Sequence, residues 1–166
     1  MMALAAAAAL TGGCSPAGPS AASARRSAPA AATTLAPAQR EALAGRYLAI
    51  ALPANHRLDR EVEGFTDHQR RGLTAAEADL RAEAATERRF DRQLAAIPFS
   101  PGIAAMARAL IQANQSRAAL TGRQARSSSL ARLHSFAARH RAADAAVEFG
   151  VRLIRQALGL PPPSES

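Results

Sequence analysis

The sequence contains one cysteine, one tyrosine, no tryptophan and no lysine among its 166 residues. A lone cysteine excludes an internal disulfide and every metal site that needs several cysteines. Aromatic residues make up only 4% of the chain, so the core must come from small and aliphatic side chains, as in packed helices. The sequence also lacks a nucleophile elbow, a phosphate-binding glycine loop and an HExxH zinc motif. We therefore expect no enzyme activity and no cofactor.

All 21 basic residues are arginines, and the formal net charge of +8 is unevenly distributed. Ten arginines and ten acidic residues cancel between residues 40 and 92, whereas nine arginines face only two acidic residues between 101 and 160. Such an excess favours anionic partners, although a solvated arginine-rich surface that keeps the protein soluble is the alternative. The predicted basic face consists of Arg123, Arg126, Arg132, Arg139 and Arg155.

The first ten residues form an uninterrupted apolar run that is followed by small residues. This run is too short to cross a bilayer as a helix and has the form of an export signal. The segment LTGGC, Leu10 to Cys14, resembles the lipobox of bacterial lipoproteins, and the composition resembles that of small alanine- and arginine-rich lipoproteins of GC-rich actinobacteria. The resemblance implies a signal peptide at 1–13, a lipid on Cys14, and a membrane-anchored protein on the extracytoplasmic face. It implies no molecular activity.

Residues 14–36 consist mainly of alanine, serine, proline and glycine, a composition that cannot form a packed core. We predict a lipidated, disordered linker with a root-mean-square reach of about 25 Å. Two alternatives remain for the N-terminal region. Cleavage after the ASA segment at 22–24 would release a soluble exported protein, whereas a chain that starts at Met1 and is not exported would carry an incidental cysteine.

From Pro37 onward, apolar residues recur at intervals of three and four, which indicates amphipathic helices. Pro53 is expected to kink the first of them, and Gly159 is expected to end the last. Four long helices with short connections predict an all-α, up-down four-helix bundle over residues 37–160. Residues 161–166 are predicted to be a disordered tail.

Capping residues and a proline mark where the predicted helices start. Thr74 and Glu77 have the spacing of a capping box for the second helix. Pro101 suits the first position of the third helix. Ser128 or Ser129 is expected to cap the fourth.

Five polar residues interrupt the apolar stripes near the helix midpoints: Glu87, Asn114, Arg117, His140 and Asp144. Arg117 could pair with Glu87 or Asp144, and Asp144 could hold His140 one turn away. The first interpretation is a structural polar layer that fixes helix register. The alternative is a small-ligand or metal site, because bundle cores are where such folds place them. A metal would also need His56, and the Glu-x-x-His motif of di-iron bundle proteins is absent.

Three functions therefore remain as hypotheses. The first is a membrane-anchored helical interaction module whose basic face binds an acidic partner in the cell envelope. The second is a lipoprotein that binds a small ligand or a metal in the polar layer. The third, a cytoplasmic nucleic-acid binder, requires that the chain is not exported. None of the usual nucleic-acid-reading motifs is present, so we expect no nucleic-acid partner.

Overall fold

The computed structural model describes residues 35–163, so the predicted signal peptide, Cys14, almost all of the linker and the last three residues lie outside the described residues. Within this range the chain forms five helices and no strand. They are α1 (Pro37–His68), α2 (Leu73–Ala95), α3 (Pro101–Gln124), α4 (Leu130–His134) and α5 (Ala137–Ala157). None of these helices is long and apolar enough to cross a membrane.

Consecutive long helices run antiparallel. Between α1 and α2, His68 Nδ1 lies 2.7 Å from Asp79 Oδ2, and Thr86 Oγ1 donates to Glu61 Oε1 over 2.9 Å, so residue numbers rise on one helix as they fall on the other. Equivalent contacts join α2 to α3 and α3 to α5. The fold is the predicted all-α, up-down four-helix bundle, in which α4 and α5 together take the place of the fourth helix. We call the end where α1 and α3 begin the proximal end, and the end where they finish the distal end.

Two apolar clusters fill the bundle, one toward each end. The larger, proximal cluster draws on α1, α2, α3 and α5, and its buried members are Leu43, Ala44, Tyr47, Ala51, Leu94, Ile103, Ala107, Leu110, Ile154 and Leu158. The smaller, distal cluster consists of Ala76, Leu80, Ala125 and Leu133. Buried polar residues lie between the two clusters, so the bundle has no continuous apolar core along its length.

Proline and glycine act at two helix positions in different ways. α1 is 32 residues long and continues through Pro53, although a proline cannot donate the usual hydrogen bond to the carbonyl four residues earlier. Gly159 ends α5 as predicted, with φ at 70°. The amides of Gly159 and Leu160 donate to the carbonyls of Gln156 and Arg155, over 3.1 and 2.8 Å, which is the hydrogen-bond pattern of a Schellman motif.

Two of the predicted helix starts are confirmed. α3 begins with Pro101 in its first turn, and the hydroxyl of Ser129 accepts a hydrogen bond from the Arg132 amide over 3.2 Å at the start of α4. The third prediction is wrong, because α2 already begins at Leu73 and no side chain caps it. Thr74 and Glu77 therefore lie inside the first turns of the helix.

The predicted fourth helix is interrupted, since α4 ends at His134 and α5 starts only at Ala137. Side chains occupy the carbonyls that would continue the helix. Gln124 Nε2 donates to the Leu133 carbonyl over 3.1 Å, and Ser135 Oγ donates to the Arg132 carbonyl over 2.7 Å. The Ser135 bond is local and competes with helical bonding, whereas the Gln124 bond comes from the end of α3. The break lets both Leu133 and Phe136 point into the protein, where each is buried.

Candidate functional site

Arg117 on α3 is the centre of a cluster of charged side chains between the two apolar clusters. Its guanidinium contacts Glu87, lies 2.9 Å from a Glu83 carboxylate oxygen, and donates from Nε to Asp144 Oδ1 over 2.5 Å. Glu83 and Glu87 come from α2 and Asp144 from α5. One cation thus links three helices, and it pairs with both of the carboxylates that the sequence had suggested for it.

Asn114 lies one turn before Arg117 and joins the same layer. Its side-chain amide donates to Asp91 Oδ1 over 2.8 Å and to the backbone carbonyl of Glu87 over 3.3 Å. Glu87 itself is only 1% exposed. The structure therefore brings together four of the five predicted layer residues, Glu87, Asn114, Arg117 and Asp144, through direct contacts.

His140 lies beside this cluster without a direct bond to it. It is half-buried, its Nε2 is buried with no hydrogen-bond partner, and it forms no hydrogen bond to Asp144 within residues 35–163. The expected His140–Asp144 pair is therefore wrong, because the Asp144 carboxylate bonds to Arg117 instead. Both residues line an open groove of about 470 Å³, together with Glu83, Arg117 and the apolar Leu80.

Burial shifts the pKa values of three groups in this region. Removal from water raises the pKa of Glu83, against the opposing effect of Arg117. Burial likewise raises the pKa of Asp91, while the hydrogen bond from Asn114 opposes the shift. Burial lowers the pKa of His140, and the nearby Asp144 carboxylate counteracts part of that change. Each shift has the direction expected for desolvation of a charged form.

These shifts predict opposite pH effects on stability. The pKa of His140 in the folded state lies below its ordinary value of 6.5, so its contribution to stability is present above that pH and is lost as pH falls through the folded value. The pKa values of Glu83 and Asp91 are raised, so their contributions are present at acid pH and are lost as pH rises through the folded values.

We expect His140→Asn to reduce the loss of stability that the protein shows between pH 7 and pH 5. The variant lacks the group that must be protonated against its burial, so its free energy of unfolding should fall less over that interval. Urea unfolding at both pH values measures the difference. His56→Asn is the matched control, because His56 is exposed on α1. Equal pH dependence of the free energy of unfolding in the two variants would show that His140 does not cause the loss of stability.

The structure does not assemble the metal-binding alternative. His56 is exposed on α1, and within the described residues no group of three histidine, cysteine, aspartate or glutamate side chains could hold a metal ion. The geometry of the layer instead pairs carboxylates with an arginine and an asparagine. Such pairing is what a structural layer requires.

Sequence analysis missed Glu83 and Asp91, which are 6% and 5% exposed. A signal for them was present, because they lie one turn before and one turn after Glu87 on the same face of α2. In the structure Phe90 is half-buried and Asp91 is the more buried of the two.

Four of the five predicted basic-face residues surround one surface hollow at the distal end. Arg123 lies in the last turn of α3, Arg126 in the following loop, Arg132 in α4 and Arg139 in the first turn of α5. The hollow is open to solvent and has a volume of about 320 Å³. We call it the arginine hollow, and its lining residues are Arg123, Arg126, Ser127, Ser128, Arg132, Phe136 and Arg139.

Arg155 does not belong to this surface, so its assignment to the basic face is wrong. It lies near the end of α5, sixteen residues after Arg139, which corresponds to about 24 Å along the helix axis. Its Nε donates to the Pro161 carbonyl over 2.6 Å. Arg155 also lines an interior cavity of about 90 Å³ beside Tyr47 and Glu87. The sixteen residues between the two arginines on one predicted helix already implied this separation.

Comparison with known proteins gives no further information about the site. No protein-family model matches the chain, and neither a curated protein nor a solved structure shows detectable similarity to it.

Proposed function

We propose that this chain is a cell-envelope lipoprotein, anchored through Cys14, whose helical bundle binds an acidic partner through the arginine hollow. The observation that supports binding is the convergence of Arg123, Arg126, Arg132 and Arg139 on one concave surface. No aspartate or glutamate lines that surface. The apolar run and the LTGGC segment support the anchor and the extracytoplasmic location.

The location is tested by the intact mass of the mature protein taken from its native membrane fraction. A chain that begins at Cys14 and carries lipid mass is the expected result. A soluble cytoplasmic chain that retains Met1 would overturn the anchor and favour the nucleic-acid hypothesis instead.

We expect the double variant Arg126→Gln, Arg132→Gln to bind an acidic polymer, poly-glutamate, about tenfold more weakly than the unmodified chain. Both side chains are exposed, so the variant should keep the fold and lose only charge. Binding should also weaken between 50 and 200 mM salt, because salt screens exposed charges. Fluorescence anisotropy of labelled polymer measures both effects.

The matched control is the double variant Arg88→Gln, Arg89→Gln. These arginines are exposed on α2, away from the hollow, and neither forms an ion pair within the described part of the chain. The control removes the same charge and should bind the polymer nearly as well as the unmodified chain. Equal weakening in both double variants would show that only net charge matters and would refute a localised binding face.

A second candidate function is small-ligand binding in the groove beside Arg117. The groove volume of about 470 Å³ lies within the range of small-molecule sites, and its lining combines apolar and charged side chains. Arg117 is already paired with three carboxylates, which leaves His140 as the group without a partner. A ligand that raises the melting temperature of the chain, with no such rise in His140→Asn, would support this function.

A further inference from the structure

The charge in the arginine hollow is not compensated within the described residues. None of its four arginines takes part in the ion pairs of residues 35–163, which involve Arg81, Arg117, Arg152 and His68 instead. The four guanidinium groups therefore retain their hydrogen-bond donors for a ligand. Arginine presents these donors as a planar fork that matches carboxylate and phosphate oxygens.

Ser127 supplies a second, independent observation at the same place. The residue is only 5% exposed, it lines the hollow, and its hydroxyl oxygen is buried with no hydrogen-bond partner. A buried hydroxyl without a partner is costly, so its presence in a residue that lines the hollow with four arginines points to a ligand atom that accepts a hydrogen bond there. The bound group must accept from both a hydroxyl and guanidinium groups.

Two neighbouring features favour an anion at the hollow. The Arg139 guanidinium lies 5.6 Å above the centre of the Phe136 ring, a cation–π contact that holds this arginine against a buried aromatic side chain. α5 begins directly after Phe136, and no side chain caps it. The amides of its first turn therefore add to the positive potential beside the hollow.

We propose that the arginine hollow binds a phosphate monoester group, with Arg123, Arg126, Arg132 and Arg139 around it and Ser127 Oγ donating to it. The inference rests on the proposed function and names the chemical group that the hollow recognises. A phosphate monoester carries nearly two negative charges and three terminal oxygens near pH 7. A carboxylate has one charge and two oxygens, and it would leave part of this donor set unused.

The test is calorimetric titration of the full chain with glycerol phosphate, and with acetate at equal ionic strength. We expect the phosphate monoester to bind at least tenfold more tightly than acetate. Ser127→Ala should lose about tenfold in affinity for glycerol phosphate, as expected for a hydrogen bond to a charged group. Ser116→Ala is the matched control, because this exposed hydroxyl donates to the Gln112 carbonyl of its own helix.

Ser127 is buried, so Ser127→Ala is accepted as a test only if its melting temperature stays near that of the unmodified chain. The double variant Arg126→Gln, Arg132→Gln tests the same site through exposed residues and should lose more than tenfold in affinity for glycerol phosphate. Equal affinity for acetate and glycerol phosphate overturns the proposal. Unchanged phosphate affinity in a folded Ser127→Ala or in the double variant also overturns it.

The same variants separate this inference from the proposed function. If the arginine double variant loses poly-glutamate binding but the chain shows no preference for phosphate, the interaction module stands and the phosphate site falls. If the double variant leaves both poly-glutamate and phosphate binding unchanged, both proposals fail.

Vesicles identify the source of the phosphate group. Tighter binding to phosphatidic acid vesicles than to free glycerol phosphate supports the site with a lipid headgroup as its ligand. Equal binding to the two supports the site with a soluble or polymer-borne monoester. Equal binding to phosphatidic acid and phosphatidylglycerol vesicles, in contrast, overturns the preference for a monoester, because the headgroup of phosphatidylglycerol is a phosphate diester.

Discussion

Arg117→Met is expected to lower the free energy of unfolding by about 3–5 kcal/mol, the cost of removing one partner from a buried ion pair. Methionine keeps much of the side-chain length but leaves the carboxylates of Glu83, Glu87 and Asp144 without their shared cation. Urea unfolding followed by helical circular dichroism at pH 7 measures the loss. The deficit should shrink at acid pH, because burial already raises the pKa of Glu83 and a protonated carboxyl needs no cation.

Arg152→Met is the matched control for this experiment. Arg152 pairs with Glu148 one turn away over 3.8 Å on an exposed part of α5, and such pairs contribute only about 0.3–0.5 kcal/mol. Adding Glu87→Gln to Arg117→Met should recover part of the stability, since it removes one of the stranded charges. A loss below about 1 kcal/mol for Arg117→Met would mean that the cluster is solvated and does not fix the helix register.

Leu133→Ala is expected to cost about 2–5 kcal/mol, the range for truncating a fully buried leucine. Leu133 is 0% exposed and joins α4 to the distal cluster formed with Ala76, Leu80 and Ala125. It is the only buried residue of the five that make up α4. The preceding residue, Arg132, lines the arginine hollow. A loss of packing at Leu133 should displace Arg132, so the same variant should also weaken binding of an acidic ligand.

Leu130→Ala provides the comparison within the same short helix. Leu130 is 37% exposed, and substitutions at exposed positions usually change stability by no more than about 0.5 kcal/mol. Thermal and urea unfolding of the two variants, with poly-glutamate binding as a second readout, distinguishes the positions. Similar losses in both variants would contradict the role of Leu133 as the anchor of α4.

The long helices could be predicted from sequence because each carries an apolar stripe of the correct period over many residues. The interruption at Ser135 and Phe136 could not be predicted in this way. At the interruption Gln124 donates to the Leu133 carbonyl from the end of α3, and no local sequence pattern shows that bond. The capping box at Thr74 failed because its spacing fits a helix start at residue 75, whereas α2 begins two residues earlier, at Leu73.

The polar layer could be predicted from the sequence because charged residues on an apolar stripe become buried where the helices meet and then need partners. Which carboxylates meet Arg117 depends on helix register and rotation, so Glu83 was missed although it is one turn from Glu87. Only part of the arginine hollow could be predicted from the sequence. The excess of arginine and the distance of Arg155 from Arg139 along one helix were visible in the sequence, but the convergence of the other four arginines on one surface required the bundle. The buried hydroxyl of Ser127 gave no signal at all in a run of three serines.

The two ends of α1 bear on whether the bound partner lies on the surface that holds the anchor or on an opposing surface. The chain enters the bundle at Pro37, at the proximal end, whereas the arginine hollow lies at the distal end. A helix of 32 residues separates these ends by about 48 Å. For a chain anchored ahead of Pro37, the bundle would be a rigid spacer that favours capture in trans, from a surface facing the one that holds the anchor. Binding in cis would require the linker to let the bundle turn over, so shortening residues 15–34 should impair cis binding and leave trans binding intact.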